Sequence, residues 1–172
     1  MSIFTVEDLA TGQNEYVKAF RTNYDGVNVL ELNLQHSSES YKVTVNNSTS
    51  DVAILTGSGS DTIYANPTGM SFIDAGSGTN TIIGSAANMN ISIEGSPNKA
   101  FTSDIITNFH AGDELTFGGG ATSLYVTVRG NETIYDAFNP AIPGSAVYAT
   151  FVALPSGPLN VTHSANGITL SA

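Results

Sequence analysis

Two glycine-rich stretches carry the residues of this sequence that are best suited to chemistry. Thr56-Gly57-Ser58-Gly59-Ser60-Asp61 lies 19 residues before Ala75-Gly76-Ser77-Gly78-Thr79-Asn80. Glycine gives the backbone access to positive φ, which tight turns need. Asp61 and Asn80 end the two stretches at matching positions, where either side chain can cap exposed backbone N–H groups. The spacing therefore predicts two similar turns, one stacked on the other.

The other candidate sites are weak, and they do not make up a catalytic set. The three histidines are scattered without the close spacing of a zinc site, and they are interpreted as surface or loop residues: His36, His110 and His163. Cysteine is absent, which excludes a thiolate nucleophile, a cysteine zinc site and a disulfide. Asp113 and Glu114 are adjacent, but neighbours in a strand point to opposite faces, so a shared acid–base role is not expected. No serine-nucleophile or phosphate-binding motif occurs, and the chain is not expected to be an enzyme.

Charge narrows the class of partner. The 15 acidic residues exceed the 5 basic ones and give a net charge of −10. Nucleic-acid binding needs clustered Lys and Arg, so it is not expected. No stretch approaches the ~18 apolar residues of a membrane span. The N-terminus also lacks the basic and apolar regions of a cleaved signal peptide, so any export is predicted to use another route.

A nine-residue repeat organises the middle of the chain. Apolar residues recur at this period, with one inserted residue placed at Asp74; they are Val45, Ile54, Ile63, Phe72, Ile82 and Ile91. The period fits neither a helix nor a hairpin meander, but it fits a solenoid in which each repeat is a turn and a short strand. Alternate repeats should lie on opposite walls, so Ile54, Ile63, Phe72, Ile82 and Ile91 are predicted to point inward in two columns.

The repeats resemble a known family. Residues 56–64 look like the Gly-Gly-x-Gly-x-Asp-x-apolar-x nonapeptide of the repeats-in-toxin, or haemolysin-type calcium-binding, proteins, and residues 75–83 are a weaker copy. Residues 103–115 are similar to the segment that often follows such repeats. The resemblance implies a parallel β-roll and export by the type I secretion machinery to the cell surface or the extracellular space.

The resemblance also implies a calcium site. In the family, backbone carbonyls of the glycine-rich turns and the repeated Asp bind Ca²⁺ between successive coils, which points here to Gly57, Gly59, Asp61, Gly76, Gly78 and Asn80. The chain departs from the pattern, because Thr56 and Ala75 replace the first glycines and Asn80 replaces the second Asp. At most one such site is expected. Because few carboxylates contribute, its dissociation constant should be no better than ~10⁻⁴ to 10⁻³ M. The alternative is that these residues form metal-free turns.

The flanking segments are predicted to cap the roll. The whole chain is interpreted as one all-β domain: a capping segment over residues 1–37, the parallel β-roll or β-helix solenoid over 38–95, and an antiparallel β cap over 96–172. Strands are predicted at 16–20, 27–34, 124–129, 146–152, 159–162 and 168–170, with a hairpin at Asp25-Gly26 and a short helix at 131–138. From Gly130 to Ala172 there is no Lys or Arg, which resembles the C-terminal signals of type I secretion substrates.

Two functions remain open from the sequence. The first is a non-catalytic, self-associating structural or adhesive protein of the bacterial exterior, with weak calcium binding. The alternative is a module derived from a larger secreted enzyme, which binds a carbohydrate, such as a cell-surface glycan, or another ligand through exposed aromatics such as Tyr64, Tyr125 and Tyr148. Self-association would appear as concentration-dependent assembly, and the alternative as glycan binding.

Overall fold

β-Strands joined by turns and loops, without a helix, make up the fold over the residues that the computed structural model describes, which are 3–15, 17–46, 48–93, 102–154, 159–165 and 167–172. The predicted all-β class is confirmed. No helix in these ranges is long and apolar enough to cross a membrane. The strands are, in chain order, β1 (Phe4–Asp8), β2 (Asn14–Glu15), β3 (Phe20–Tyr24), β4 (Val27–Asn33), β5 (Tyr41–Val45), β6 (Val52–Leu55), β7 (Thr62–Tyr64), β8 (Ser71–Asp74), β9 (Gly78–Ile83), β10 (Met89–Ile93), β11 (Thr102–Thr107), β12 (Glu114–Phe117), β13 (Ser123–Arg129), β14 (Glu132–Phe138), β15 (Val147–Val152), β16 (Asn160–Ser164) and β17 (Gly167–Ser171).

These strands form two sheets joined by a coiling chain. Sheet A has the order β13-β14-β15-β11-β9-β7-β5-β1-β2, and sheet B has the order β16-β17-β12-β10-β8-β6-β4-β3. From β4 to β12 the chain alternates between the two sheets, and each strand pairs in parallel with the next strand of its own sheet. The result is a β-solenoid of about four turns, as the repeat predicted.

The core consists of stacked columns of aliphatic side chains, one on each wall. The column of sheet A contains Val43, Ile63, Ile82 and Ile106, and that of sheet B contains Leu32, Ile54, Ile73, Ile91 and Leu115. All nine side chains are buried in one continuous core. Burying a side chain of this size stabilises the fold by roughly 1.5 to 3 kcal/mol. The prediction is confirmed for Ile54, Ile63, Ile82 and Ile91.

The prediction that the Phe72 side chain points into the core is wrong. In the ladder between β6 and β8, Ile54 lies beside Ile73, whereas Phe72 lies beside Ala53. Phe72 packs on the outer face of sheet B against Tyr24, with the ring centroids 5.4 Å apart. Since side chains alternate along a strand, a shift of one residue exchanges the two faces.

The extra residue in the repeat therefore lies before β8, not at Asp74. Ile63 and Ile73, which follow one another on opposite walls, are ten residues apart, whereas Ile73 and Ile82 are nine apart. The turn before β8 is held by the Ser71 hydroxyl, which accepts a hydrogen bond from the Asn66 N–H at 2.8 Å. This contact uses a residue that points inward, and it sets Ile73 rather than Phe72 on the core side.

The parallel ladder extends beyond the repeat segment at 38–95. It begins at β4, where Leu32 lies beside Ile54, and it continues through β12 and β15. The later coil is longer, since 24 residues separate Ile82 from Ile106, its neighbour in the column. The nine-residue period is thus a property of the central coils.

Antiparallel strands close both ends, as predicted. At the N-terminal end β1 pairs with β5 and β3 pairs with β4; at the C-terminal end β14 and β13 extend sheet A while β17 and β16 extend sheet B. The predicted hairpin at Asp25-Gly26 is confirmed, with φ values of 50° and 86° that suit its tight turn. Only Phe20 of the predicted strand at 16–20 is in a strand, and Tyr16 lies outside the described residues.

The helix predicted at 131–138 is wrong. This segment is strand β14, which lies between β13 and β15 in sheet A. Its side chains alternate with a period of two, so that Tyr135 and Ala137 are buried while Ile134 and Asp136 face outward. Pairing on both sides satisfies its backbone groups, and this tertiary context outweighs the local capping signal.

Candidate functional site

The structure brings the two glycine-rich turns into direct contact. The Thr56 hydroxyl donates to the Ala75 carbonyl at 2.9 Å, and the Ser77 N–H donates to the Gly57 carbonyl at 3.0 Å. The Asp61 N–H donates to the Asn80 side-chain oxygen at 2.9 Å. The six residues assigned to the predicted calcium site, Gly57, Gly59, Asp61, Gly76, Gly78 and Asn80, therefore lie together in successive coils.

The glycines of these turns are explained by how closely the coils approach. A β-carbon added at Gly57 would overlap the Ser37 carbonyl oxygen, and one at Gly76 would overlap the Gly57 carbonyl oxygen. Gly76 also has a φ of 69°, a backbone conformation that residues other than glycine rarely adopt. The stacked turns thus need glycine for backbone packing, whether or not they bind an ion.

Asp61 and Asn80 belong to a buried polar column that continues to a third residue. Asp61 Oδ1 accepts from the Tyr41 N–H at 2.8 Å, and the Asn80 side-chain amide donates to Asp104 Oδ1 at 2.9 Å. Asn80 and Asp104 lie side by side in the ladder between β9 and β11. Each member makes a hydrogen bond to a neighbouring coil, so the column stabilises the stacking of coils along the solenoid axis.

Asp104 was missed by sequence reasoning, although a signal exists. Asp61, Asn80 and Asp104 each stand two residues before an inward isoleucine, Ile63, Ile82 or Ile106. The nine-residue repeat did not reveal Asp104, because the coil between Asn80 and Asp104 is longer than the coil between Asp61 and Asn80.

The column concentrates negative charge away from water. Burial raises the pKa of Asp61, and the hydrogen bond from the Tyr41 N–H opposes this rise. The Thr56 hydroxyl donates to Ala75, and Asp61 Oδ2 is buried without a hydrogen-bond partner among the described residues. Burial also raises the pKa of Asp104 to about 7, against the hydrogen bond from Asn80 and with help from the charges of Asp74 and Asp61. A bound cation, or protonation of these carboxyl groups, would neutralise this buried charge and stabilise the column.

A similar device occurs on the opposite wall. Asp113 Oδ1 accepts from the Met89 N–H and Asp113 Oδ2 accepts from the His110 N–H, both at 2.7 Å. Asp113 is buried while Glu114 is exposed, so the two carboxylates point apart as expected. His110 is half-buried, with its Nε2 2.7 Å from the Ser85 carbonyl oxygen. These contacts connect coils, and His110 Nδ1 also lies 3.4 Å from Asp113 Oδ2.

The turns fit a calcium ion only in part. A cleft of about 170 Å³ opens beside them, and its lining does not include Asp61 or Asn80; it consists of Gln35, Thr56, Gly57, Ser58, Asp74, Gly76 and Ser77. Asp61 Oδ1 and Asn80 Oδ1 already accept hydrogen bonds from backbone N–H groups, whereas Asp61 Oδ2 is buried without a partner among the described residues. Among the described residues, no group of three or more His, Asp or Glu side chains could hold a metal ion.

Comparison with known proteins does not assign this chain to a family. No family model, curated protein or solved structure matches this chain. The site must therefore be interpreted from its own chemistry.

The tyrosines proposed for ligand binding are divided over sheet A. Tyr125 and Tyr148 lie in one row across β13, β14 and β15, with Asp136 between them. Tyr64 is on β7, and its row in the sheet runs through Ile83 and Thr107 instead. Tyr125 is 66% exposed, Tyr64 is 39% exposed and Tyr148 is half-buried.

Proposed function

We propose that this chain is a non-catalytic structural or adhesive β-solenoid protein of the bacterial exterior, which self-associates through the edge of sheet A. The observation that carries this proposal is β13. It is the last strand of sheet A, and its seven residues pair with β14 on one side only. An open strand edge offers unpaired N–H and C=O groups to another chain.

The side chains of β13 favour association as well. Tyr125, Val126 and Val128 are 66%, 51% and 70% exposed, and they are among the largest apolar surfaces of the described residues. Leu124, Val126 and Val128 share one face of the strand, since side chains alternate. If two copies pair antiparallel about Val126, Leu124 of one lies opposite Val128 of the other. The strand is thus complementary to itself, as a two-fold interface requires.

Sedimentation velocity over a range of protein concentrations tests this proposal. Wild-type protein should form dimers as its concentration rises, and Val126→Lys should remain monomeric because it places a charge in the middle of the edge. Val161→Lys is the matched control, since Val161 is an exposed valine of β16, the edge strand of sheet B. Dimers in Val126→Lys, or monomers in wild type at every concentration, would rule out this interface.

Export by type I secretion rests on the nonapeptide resemblance, the acidic composition and the absence of cysteine. The last residues cannot be tested by deletion, because β14 to β17 belong to the two sheets and their loss would open the core. A reporter protein carrying residues 130–172 at its C-terminus should instead leave cells that contain a type I exporter and stay inside cells that lack one. Equal retention in both would contradict this route.

Weak calcium binding at the stacked turns is the finer part of the proposal. It is supported by Asp61 Oδ2, which lacks a donor among the described residues, and by the cleft beside the same turns, which Thr56, Ser58 and Asp74 help to line. Asn80→Asp should destabilise the protein in chelator, because it removes the donor to Asp104 and adds a charge between two carboxylates. Calcium at about 10 mM, roughly ten times the weakest expected dissociation constant, should restore the melting temperature.

Asn28→Asp is the control for the added charge, since Asn28 is exposed on β4. Its melting temperature should respond to calcium no more than that of wild type. If calcium also leaves Asn80→Asp unchanged, the column is metal-free and the glycine-rich turns serve packing alone.

A further inference from the structure

We propose that a pocket at the β13–β14 edge of sheet A binds a neutral pyranose ring. The ring stacks on Tyr125, and one of its hydroxyl groups donates a hydrogen bond to Asp136. This activity goes beyond self-association. The pocket has a volume of about 340 Å³ and lies where β13 and β14 meet the loop that leads into β15. That volume is at the lower end of the range for small-ligand sites and suits one or two sugar rings.

Aromatic and other apolar groups form most of the pocket. Tyr125 and Phe138 stack with their ring centroids 5.2 Å apart and their planes inclined by 28°. Pro140, Ile142 and Pro143 complete the apolar lining. Tyr125 is 66% exposed, so its ring keeps a large surface available to a ligand. The negative face of an aromatic ring attracts the weakly positive C–H groups that line one side of a pyranose.

The loop over the pocket is held in place by its own hydrogen bonds. The Asn139 N–H donates to the Ser145 hydroxyl oxygen at 2.9 Å, and the Ser145 hydroxyl donates to the Asn139 carbonyl at 3.1 Å. The Asn139 side chain donates to the Gly120 carbonyl and accepts from the Ala141 N–H, both at 3.0 Å. A loop ordered in advance lowers the entropy cost of binding.

Asp136 is the polar group of the pocket that still needs a partner. Asp136 Oδ1 is buried and has no hydrogen-bond donor among the described residues. Burial raises the pKa of this carboxyl, and no basic side chain opposes the rise. A buried acceptor without a donor destabilises the protein, and a ligand hydroxyl would remove that penalty. Asn139 and Ser145, two other polar side chains of the lining, are already hydrogen-bonded, Ser145 within the loop and Asn139 to the Gly120 carbonyl.

The arrangement favours a neutral ring over a cation. Aromatic sites for cations surround the charge with ring faces, whereas Tyr125 and Phe138 stack on one another and leave no space for a ligand between their faces. Asp136 Oδ1, a buried acceptor without a donor among the described residues, suits a ligand hydroxyl group. A flat ligand with an apolar side and hydroxyl groups at its rim fits both features.

The test uses the full chain with Val126→Lys, so that binding is measured separately from association through β13. The methyl pyranosides of glucose, galactose, mannose and N-acetylglucosamine are added to ¹⁵N-labelled protein up to about 50 mM, which covers millimolar affinity. At least one should cause saturable shifts in the amide signals of Tyr125, Asp136 and Phe138. Tyr125→Ala and Asp136→Ala should each weaken binding about tenfold or more.

Tyr64→Ala is the matched control, because Tyr64 is an exposed tyrosine elsewhere on sheet A, and it should bind as before. Tyr125 is exposed and its loss leaves the core intact, so its variant reports on binding even if Asp136→Ala folds poorly. The proposal is overturned if no glycoside gives saturable shifts, if Tyr125→Ala binds normally, or if tetramethylammonium binds more tightly than every sugar.

Discussion

The Asp104 carboxyl shows how one residue can make this fold depend on pH. Its folded pKa of about 7 lies above the ordinary value of 3.8 because the side chain is buried. Between these values the folded protein holds a proton that the unfolded chain releases. Asp61, Asp113 and Asp136 are shifted in the same direction by burial. The stability that these protons confer is therefore complete at acidic pH and is lost as pH rises.

We expect the free energy of unfolding to decrease as pH rises from about 4 to 7, with Asp104 contributing at most about 1.4 kcal/mol per pH unit. Denaturant titrations at several pH values would measure this slope. Asp104→Asn should flatten the slope, since it keeps an oxygen acceptor for Asn80 but cannot ionise. An identical slope in Asp104→Asn would assign the pH dependence to other groups.

Gly76 allows a test of the contact between coils. Gly76 and Gly12 both have a φ of 69°, so an alanine at either position pays the same backbone strain, roughly 1 to 2 kcal/mol. Only at Gly76 would the new β-carbon overlap a neighbouring coil; at Gly12 nothing lies within 4 Å. Gly76→Ala should therefore lower the melting temperature much more than Gly12→Ala. Equal losses would mean that the turns can move apart without cost.

At the scale of the element, the register of β8 is the feature most sensitive to a single residue. Ile73 points into the core while Phe72 faces a cleft on the outer surface of sheet B lined by Asn90, Ser92 and Thr116. A polar atom added to Phe72 can find partners in that cleft, whereas one added to Ile73 cannot. The two positions should thus respond differently to a hydroxyl group.

Phe72→Tyr is expected to change the free energy of unfolding by less than about 0.5 kcal/mol, because the added hydroxyl can reach polar groups of the cleft that Phe72 lines. Ile73→Thr should cost about 1 to 3 kcal/mol, because it buries an unsatisfied hydroxyl and removes a methyl group from the column. Urea denaturation of both variants would measure the two values. The reverse order of stabilities would restore Phe72 to the core and shift the register by one residue.

At the scale of the whole molecule, net charge and the exposed strand edge oppose one another. Each copy carries a net charge of −10, so two copies repel each other as they approach. Salt screens this repulsion, with a Debye length of about 10 Å at 0.1 M. Association through the apolar side chains of β13 should therefore strengthen as salt is added.

Sedimentation equilibrium at about 0.02 and 0.3 M sodium chloride would measure this effect. The dimer dissociation constant should decrease at the higher salt concentration, and Val126→Lys should remain monomeric at both. If salt weakens the dimer instead, ion pairs involving Arg129 rather than apolar contacts hold the edge together.

The amino-acid sequence by itself determined the fold class, the central coils and both antiparallel caps. Turn chemistry and hydrophobic period act over a few residues, so the glycine-rich turns, the Asp25-Gly26 hairpin and the inward positions of Ile54, Ile63, Ile82 and Ile91 could be predicted locally. Where two local signals competed, as at Phe72 and Ile73, the sequence left the register undecided.

Only the tertiary structure decided which distant residues meet. Asp104 joins Asp61 and Asn80 because parallel coils stack along the axis, and the distance between them in the chain varies from coil to coil. The segment at 132–138 became a strand because β13 and β15 supply partners for its backbone on both sides. The β13–β14 hairpin sets Tyr125 beside Asp136, and this pairing could not be predicted while the segment was interpreted as a helix.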